Sequence, residues 1–344
     1  MAKPNNHIPQ DITDQILPYL PVKSLIRFKC ASKSWRSLIS SPPFTRNHFE
    51  RASSQDPKII AQKILIVSLP CGLKSLDLEK SLFDDEDAMI SLRFPPIEPC
   101  NRVKILGSCN GLVCLNLDND ASTYTGSGFG YDSSSNDYKL VLEIDRRLVI
   151  FSLAKSSWSM RQDRWWPRSA IGKGVYSNGA LHWHIFNGII SFDLKTYIFG
   201  YVRKPDAKLF RHKWRLFEAE KIFCGSCMDK FKNSLDFELW MMKKDGVEGY
   251  WTKVLTFQHF YDFYCFFINF LNKNYSDGKD DFVTENSKDI IRCEGEGGIV
   301  KKIRIHSCPK QYESKSPKNS PYFCDAIAYE ETLVWPNDLS NNFS

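Results

Sequence analysis

Ile8-Pro9-Gln10-Asp11-Ile12-Thr13-Asp14-Gln15-Ile16-Leu17-Pro18-Tyr19-Leu20-Pro21-Val22-Lys23-Ser24-Leu25-Ile26-Arg27-Phe28-Lys29-Cys30, continued by Lys33-Ser34-Trp35-Arg36-Ser37-Leu38-Ile39, reads as three short helices. Ile12, Ile16, Leu17 and Leu20 fall at i, i+4, i+5 and i+8, which lines one side of a helix. Pro9 suits its entry, and Asp11 places negative charge in the first turn, where free backbone amides point outward. Pro18 and Pro21 each remove a backbone donor and clash with the preceding turn, so this helix loosens by Pro18 and ends before Pro21. A second helix starts from Val22. Its apolar positions, Val22, Leu25, Ile26, Phe28 and Cys30, spread wider than one buried stripe, which leaves a face for a partner. Ser34 can cap a third helix, in which Trp35, Leu38 and Ile39 meet at i, i+3 and i+4 before Pro42 and Pro43 stop it. Three such helices hold too little core to stand alone, so they read as a docking module on a larger body.

These residues closely resemble the F-box of plant F-box proteins. The resemblance covers roughly residues 7 to 48. It rests on Leu20-Pro21, Lys23-Ser24-Leu25, Arg27-Phe28-Lys29-Cys30 and Lys33-Ser34-Trp35-Arg36. Ile8 stands where the family usually has Leu, an exchange between branched aliphatics that costs little. The resemblance implies docking onto the Skp adaptor of cullin-RING ubiquitin ligases. Carried over by motif position, Pro9, Ile12, Ile16, Leu17, Leu20, Pro21, Leu25, Phe28, Lys29 and Trp35 would face or frame that adaptor, with Trp35 and Leu38 knitting the helices together.

Charge bears on the same module independently. Residues 1 to 58 carry nine Lys or Arg against four Asp or Glu, a net of +5, while the whole chain is +6. The remaining residues hold 37 bases against 36 acids, so the positive field sits almost wholly at the N-terminus. A basic helical module can meet nucleic acid or an acidic protein. Helix-turn-helix readers need polar side chains spaced to reach base edges, and the second helix here is filled with Val, Leu, Ile and Phe. An acidic protein groove with apolar pockets fits better, and no nucleic-acid partner is expected.

At 344 residues, the chain leaves nearly three hundred beyond the module, ample for a large core or a repeat array. A hydrophobic fraction of 42% and an aromatic fraction of 14% favour a folded, strand-leaning protein over disorder. No apolar leader opens the chain, and its most apolar region, Val254 to Leu271, is broken by Gln258, His259, Asp262 and Asn269, so no membrane span is expected. The expected location is cytoplasmic, nuclear or both. Eleven cysteines in such a chain read as reduced thiols. Cys30, Cys109, Cys114 and Cys265 lie in apolar runs and read as small core residues. Cys224-Gly225-Ser226-Cys227 lacks the second ligand pair a structural zinc needs, so neither metal nor cofactor is expected.

Beyond Pro57 helical spacing gives way to short strands between turns. Clear runs are Lys63 to Leu69, Val103 to Leu106, Gly111 to Leu117, Tyr138 to Ile144, Leu148 to Leu153, Gly179 to Ile185, Gly188 to Leu194, Leu235 to Met242 and Trp251 to Phe257. Cys109-Asn110-Gly111, Ser134-Ser135-Asn136-Asp137, Ser177-Asn178-Gly179 and Lys244-Asp245-Gly246 favour tight reversals between them. A weak repeat is visible. Val149-Ile150-Phe151-Ser152-Leu153 leads to Trp158, Ile189-Ile190-Ser191-Phe192-Asp193-Leu194 to Tyr197, and Phe237-Glu238-Leu239-Trp240-Met241-Met242 to Trp251. Repeated four-strand units of about 40 to 50 residues mark a β-propeller, and the length allows about six.

This region resembles the F-box-associated domain of plant F-box proteins, through Ile105 to Cys114, Gly128 to Asp132 with Asp137 to Val141, Gly179 to Trp183, and Leu239-Trp240 with Trp251 to Lys253. The order of these motifs is more telling than any one of them. The resemblance implies a kelch-like propeller that holds the protein destined for ubiquitination. It fades after about residue 258, and residues 273 to 300, charged and Gly-rich, read as a long loop before family character returns at Ala326 to Pro336. The expected organisation is a small all-α F-box of three short helices over 1–50, a linker with first strands over 51–100, and a mainly-β, propeller-like substrate-binding domain over 101–344.

Other features carry less. His182 and His184 share a strand face as a possible metal pair, but no third ligand is evident nearby. Gly126-Ser127-Gly128-Phe129-Gly130 faintly suggests a phosphate loop, yet no lysine follows at the required spacing, and a turn into a strand is the simpler reading. Asp84-Asp85-Glu86-Asp87 reads as a solvated loop. Trp165 and Trp166 cannot both point to one side of a strand, so one is a candidate substrate contact. No catalytic residues can be assigned by spacing. An enzyme or metal-binding protein on a kelch-like scaffold is the alternative reading. The leading one is a non-catalytic receptor that hangs a target protein on the adaptor and, through it, on cullin and RING subunits. Neither the target nor the pathway, self-incompatibility included, can be read from the sequence.

Overall fold

The computed structural model describes residues 10–55, 62–68, 72–77, 89–92, 102–118, 124–161, 172–185, 188–204, 213–219, 222–228, 237–245, 248–257, 266–272, 281–285, 289–294, 298–304, 325–330 and 332–333. The helices come first. Helix α1 spans Gln10–Ile16 and tightens into a 3-10 turn, Leu17–Tyr19, where Pro18 enters the chain. Helix α2 spans Val22–Phe28 directly after Pro21, and α3 spans Lys33–Ile39. The α3 cap is Ser32 and not Ser34: the Ser32 hydroxyl accepts from the Trp35 amide, three residues on, as a capping oxygen must. Pro42 and Pro43 end nothing further. They open a fourth and longer helix, α4 (Pro42–Gln55), because a proline in the first turn gives up only an amide that has no intrahelical partner. The helical module therefore has one more helix than three and runs past residue 50.

The rest is strand. The first sheet holds β1 (Gln62–Ser68), β2 (Gly72–Asp77) and β3 (Met89–Leu92), and takes its fourth strand from Asp325–Glu330 near the end of the chain. A two-stranded hairpin follows, β4 (Arg102–Cys109) and β5 (Leu112–Asp118). The next sheet contains β6 (Tyr124–Asp132), β7 (Asp137–Ile144), β8 (Arg147–Ser152), β9 (Ser157–Arg161) and the short parallel strand β10 (Gly172–Lys173). Then come β11 (Val175–Ser177), β12 (Ala180–Ile185), β13 (Gly188–Asp193) and β14 (Phe199–Val202). Two more antiparallel sheets follow. One has β15 (Lys213–Ala219), β16 (Ile222–Met228), β17 (Phe237–Asp245) and β18 (Glu248–Phe257). The other has β19 (Phe266–Asn272), β20 (Asp281–Glu285), β21 (Asp289–Glu294) and β22 (Gly298–Arg304). The C-terminal strand, β23, is Asp325–Glu330.

The leading strands of successive sheets stand side by side in a closed ring: β4 beside β6, β6 beside β11, β11 beside β15, β15 beside β19, β19 beside β23, and β23 beside β4. This is a β-propeller, closed by the antiparallel pairing of β23 with β1. Full closure removes the open edge a row of sheets would otherwise leave. The three copies of the sequence repeat fall on β8, β13 and β17, each the third strand of its sheet. The hairpin turns use left-handed residues where Asn-Gly and Asp pairs predict them, at Asn110 (φ 49°) with Gly111 (φ 79°) and at Asn178 (φ 51°) with Gly179 (φ 79°).

Three readings need correction. Residues 273–300 are not one long loop, since β20, β21 and the start of β22 lie there. Phe282-Val283-Thr284 and Ile290-Ile291 are β-formers whose signal the flanking charges masked. Gly126 to Gly130 lie inside β6, where alternate glycines admit the neighbouring sheet: a Cβ at Gly128 would come within 2.9 Å of Leu181, and one at Gly130 within 2.4 Å of Tyr176. Cys30 is exposed, in the turn after α2, whereas Cys109 is buried, Cys114 half-buried with its thiol pushed up to about 11 by burial, and Cys265 lies outside the described residues. No helix among the described residues is long and apolar enough to cross a membrane.

Candidate functional site

The helical module is built around Leu17, Val22, Leu25, Ile39 and Phe44, with Leu20, Phe28, Trp35 and Leu38 packed half-buried against them. Phe28 and Trp35 meet edge to face, with ring centroids 5.2 Å apart, which ties α2 to α3. The Arg36 guanidinium donates to the Lys29 carbonyl at 3.2 Å across the same seam. His48 of α4 reaches the Leu20 carbonyl at 2.8 Å; the carbonyl can only accept, so His48 Nε2 carries the proton. Burial holds this imidazole below its usual range, against the opposing pull of the Leu20 carbonyl.

What this core leaves outside is apolar. Ile12 and Ile16, one turn apart on α1, are exposed, and so are Pro21 and, on α2, Ile26. Tyr19 is exposed with the Arg51 guanidinium 5.2 Å over its ring. Of the residues that the motif selects, Ile12, Ile16 and Pro21 are on the surface, and Leu20, Phe28, Lys29 and Trp35 are half-buried. Leu17 and Leu25 are buried, because they are the inner positions of two helices too short to spare them. They support the surface from beneath. Pro9 lies outside the described residues, as do Trp165 and Trp166 of the strand domain and the acidic run at 84–87. Motif position missed Tyr19 and Ile26. The helical wheel does not mark Ile26, since it follows buried Val22 by four residues and shares its side of α2; its exposure is decided by packing.

Among the described residues, contacts at Leu333, Lys23 and Arg46 fix the module to the propeller. Leu333, just past β23, is 2% exposed and belongs to the same helical core as Leu17 and Ile39. Lys23 lies 3.6 Å from the Asp77 carboxylate of β2, and Arg46 donates to Asn136, in the β6–β7 turn, at 2.8 Å. Helices and ring therefore share side chains.

Comparison with known proteins gives this architecture a family. An F-box domain model matches residues 6–47, and a model described as the F-box associated beta propeller domain matches residues 99–334. The chain belongs to the F-box proteins that carry an F-box associated β-propeller. An F-box/kelch-repeat protein of Arabidopsis thaliana is 27% identical over 385 aligned positions, covering 98% of each chain. F-box protein CPR1 of the same plant is 25% identical, covering 90% of this chain and 87% of its own. Among solved structures, TolB from Acinetobacter baumannii overlays with a TM-score of 0.34 at 10% identity, covering 77% of this chain and 59% of that one. An F-box implies binding to a Skp-type adaptor in general, and F-box propeller proteins are generally non-catalytic adaptors consistent with receptor subunits.

In this F-box protein the polar groups inside the propeller are structural ties. Lys139 of β7, buried, pairs with the buried Asp132 carboxylate at 2.7 Å, donates to the Leu194 carbonyl of the next sheet at 2.9 Å, and sits 4.6 Å over the Tyr197 ring. Burial opposes ionisation of Asp132, but Lys139 and the donors of Ser134 and Ser135 outweigh it and hold the carboxyl well below its usual range. Trp183, buried, donates to the Ser127 carbonyl at 2.9 Å and pins β12 to β6. On either side of it, His182 lies 3.3 Å from the Val175 carbonyl, and His184 is pushed down to about 4 by burial and by Lys204 nearby. Of the Cys-x-x-Cys pair, Cys224 of β16 is buried. No group of three His, Cys, Asp or Glu is placed to hold a metal among the described residues.

Proposed function

We propose that the chain is the substrate-recognition subunit of an SCF-type ubiquitin ligase. The F-box docks on a Skp-type adaptor and through it on cullin and RING subunits, and the propeller holds a target protein for ubiquitination and proteasomal degradation. The observation that carries this is the set of exposed isoleucines, Ile12, Ile16 and Ile26, on a helical module whose first 58 residues carry +5. Exposed apolar side chains on a module of net positive charge suit an acidic groove with apolar pockets. In this reading the chain performs no chemistry. Holding target and ubiquitin-charged enzyme in one assembly raises their effective concentration, and that is its whole contribution to rate. It works where adaptor and proteasome are, in cytoplasm, nucleus or both.

The test is capture of a purified Skp adaptor by the full chain and by the double variant Ile12→Asp, Ile16→Asp. Both positions are on the surface, so the variant keeps its fold and thermal transition, and adaptor capture is lost. Undiminished capture by the folded variant would overturn the assignment. A tagged full chain expressed with a proteasome inhibitor should also bring down ubiquitinated partners that the double variant does not.

A further inference from the structure

Ile12, Ile16 and Tyr19 fall at i, i+4 and i+7, and the chain between them is helical throughout, α1 running into the 3-10 turn at Leu17. They form one exposed stripe, at 43%, 52% and 48%. At about 1.5 Å per residue it is about 10 Å long. Two aliphatic side chains lead to an aromatic one, and the aromatic one meets a cation from another helix, the Arg51 guanidinium of α4, 5.2 Å over the Tyr19 ring. The position of that cation has a cause. Phe44, His48 and Arg51 also fall at i, i+4 and i+7, along one side of α4. Phe44 is buried in the helical core, His48 stacks on it with ring centres 6.4 Å apart, and His48 bonds the carbonyl of Leu20, the residue after Tyr19. Arg51 is the half-buried end of this row, so two buried side chains set its approach to Tyr19. A guanidinium over a ring keeps its five N–H donors and can serve a carboxylate at the same time. Arg51 also lies beyond residue 47, where the F-box domain match ends.

We propose, resting on the receptor reading above, that Tyr19 and Arg51 extend the adaptor-docking surface past the F-box onto α4 and select which adaptor binds. Tyr19 is an aromatic anchor continuous with Ile12 and Ile16, and Arg51 pairs with a carboxylate on the rim of the adaptor's groove. The partner that fits is a Skp-type adaptor with an Asp or Glu beside the pocket that takes Ile16 and Tyr19. An adaptor with a neutral or basic residue there gains nothing from Arg51 or is repelled by it, which is how one cation discriminates between otherwise similar grooves. Continuity with the isoleucines and the +5 charge of residues 1 to 58 argue for this occupant. Because Tyr19 and the α4 row hold the guanidinium in place before the partner arrives, less ordering remains to be done on binding.

The test is binding kinetics of the full chain with a purified Skp adaptor. Tyr19→Ala should weaken binding about tenfold, chiefly by faster dissociation, as loss of an aromatic anchor does. Arg51→Glu should weaken it about tenfold at ~0.1 M salt, chiefly by slower association, and less than about twofold at ~1 M, where the screening length falls to about 3 Å. Arg51→Ala should cost less in a Tyr19→Ala background than in the wild type, because the ring no longer places the cation. Among adaptor variants with a single surface Asp or Glu changed to Lys, one should restore binding to Arg51→Glu while weakening the wild type. Loss of fold could not be reversed by a charge on the adaptor. The double variant Ile12→Asp, Ile16→Asp reports on the receptor reading separately. If it loses capture while Tyr19→Ala and Arg51→Glu bind like wild type, the docking surface stops at the isoleucines and this proposal alone is overturned. It is also overturned if no adaptor variant rescues Arg51→Glu, or if the Tyr19 and Arg51 variants change only self-association of the chain.

Discussion

Replacing Leu333 with Ala tests whether the F-box is completed by the far end of the chain. The side chain is 2% exposed and touches a core made otherwise of Leu17, Val22, Leu25, Ile39 and Phe44, all from the helices. Leu→Ala removes carbon worth about 2.4 kcal/mol at ~0.8 kcal/mol per methylene. The unfilled space adds to this, for a total of about 2–5 kcal/mol. A core of five other buried apolar residues has little to spare. The loss should fall on local opening of the helices, read by hydrogen exchange of amides in 17–48. At about 1.4 kcal/mol per tenfold, those amides should exchange roughly 30 to several thousand times faster. Adaptor affinity falls with the fraction of F-box folded, although residue 333 touches no adaptor in the proposed complex. Leu333→Met keeps the volume and should cost less than about 1.5 kcal/mol. If Leu333→Ala speeds exchange only in β23 and β1 and leaves 17–48 unchanged, Leu333 serves ring closure alone and the shared core is refuted.

Other outcomes follow from the same contacts. Ile16→Ala, with about half its side chain left to bury on the adaptor, should weaken capture by about 1 kcal/mol, roughly fivefold by titration calorimetry, with the thermal transition unmoved. Asp132→Asn leaves Lys139 buried without its counter-charge and should destabilise the propeller by about 3–5 kcal/mol in urea unfolding; a loss under 1 kcal/mol would mean Leu194 and Tyr197 suffice to hold the lysine. His48 is held below its usual range in the folded chain, so the unfolded chain binds its proton first. The contribution of neutral His48 is therefore intact above the unfolded value near 6.5 and fades as pH falls below it. Protection of amides in 17–48, relative to their unstructured exchange rate at each pH, should fall between about pH 7 and 5, less so in His48→Gln, and an equal response in the variant would assign the effect elsewhere.

The parts of the fold that were legible in sequence are those with a local cause. Pro18 and Pro21 bound α1 and start α2, and Asn110-Gly111 and Asn178-Gly179 turn hairpins whatever the rest of the chain does. The fourth helix was misread because a proline pair both stops one helix and starts another, and only the geometry after Ser41 separates the two. Strands β20 and β21 were hidden by charges beside their β-formers, which a strand tolerates on a solvent face and a composition scan reads as loop. The candidate site divides the same way. Motif position selects Ile12 and Ile16 correctly as surface residues, but it cannot separate them from Leu17 and Leu25, which inner packing takes.

Leu333, Lys23 and Arg46 bear on one question, how the F-box sits on the propeller. The F-box shares its core with a residue three positions beyond the strand that closes the ring, and its Lys23 and Arg46 reach β2 and the β6–β7 turn. The contacts at Asp77 and Asn136 fall on the two sheets that flank the β4–β5 hairpin. A hinge would need a stretch of chain between module and propeller with no shared side chains, and here buried packing, an ion pair and a hydrogen bond span that junction. The orientation of the exposed isoleucines relative to the propeller is thereby set by packing, which has discrete solutions, and not by a tether, which has many. In the proposed reading, a target held on the propeller would then meet the charged enzyme at one position and orientation. Where holding reactants in place is the receptor's whole contribution, loosening that junction should lower ubiquitin transfer even when adaptor and target both remain bound.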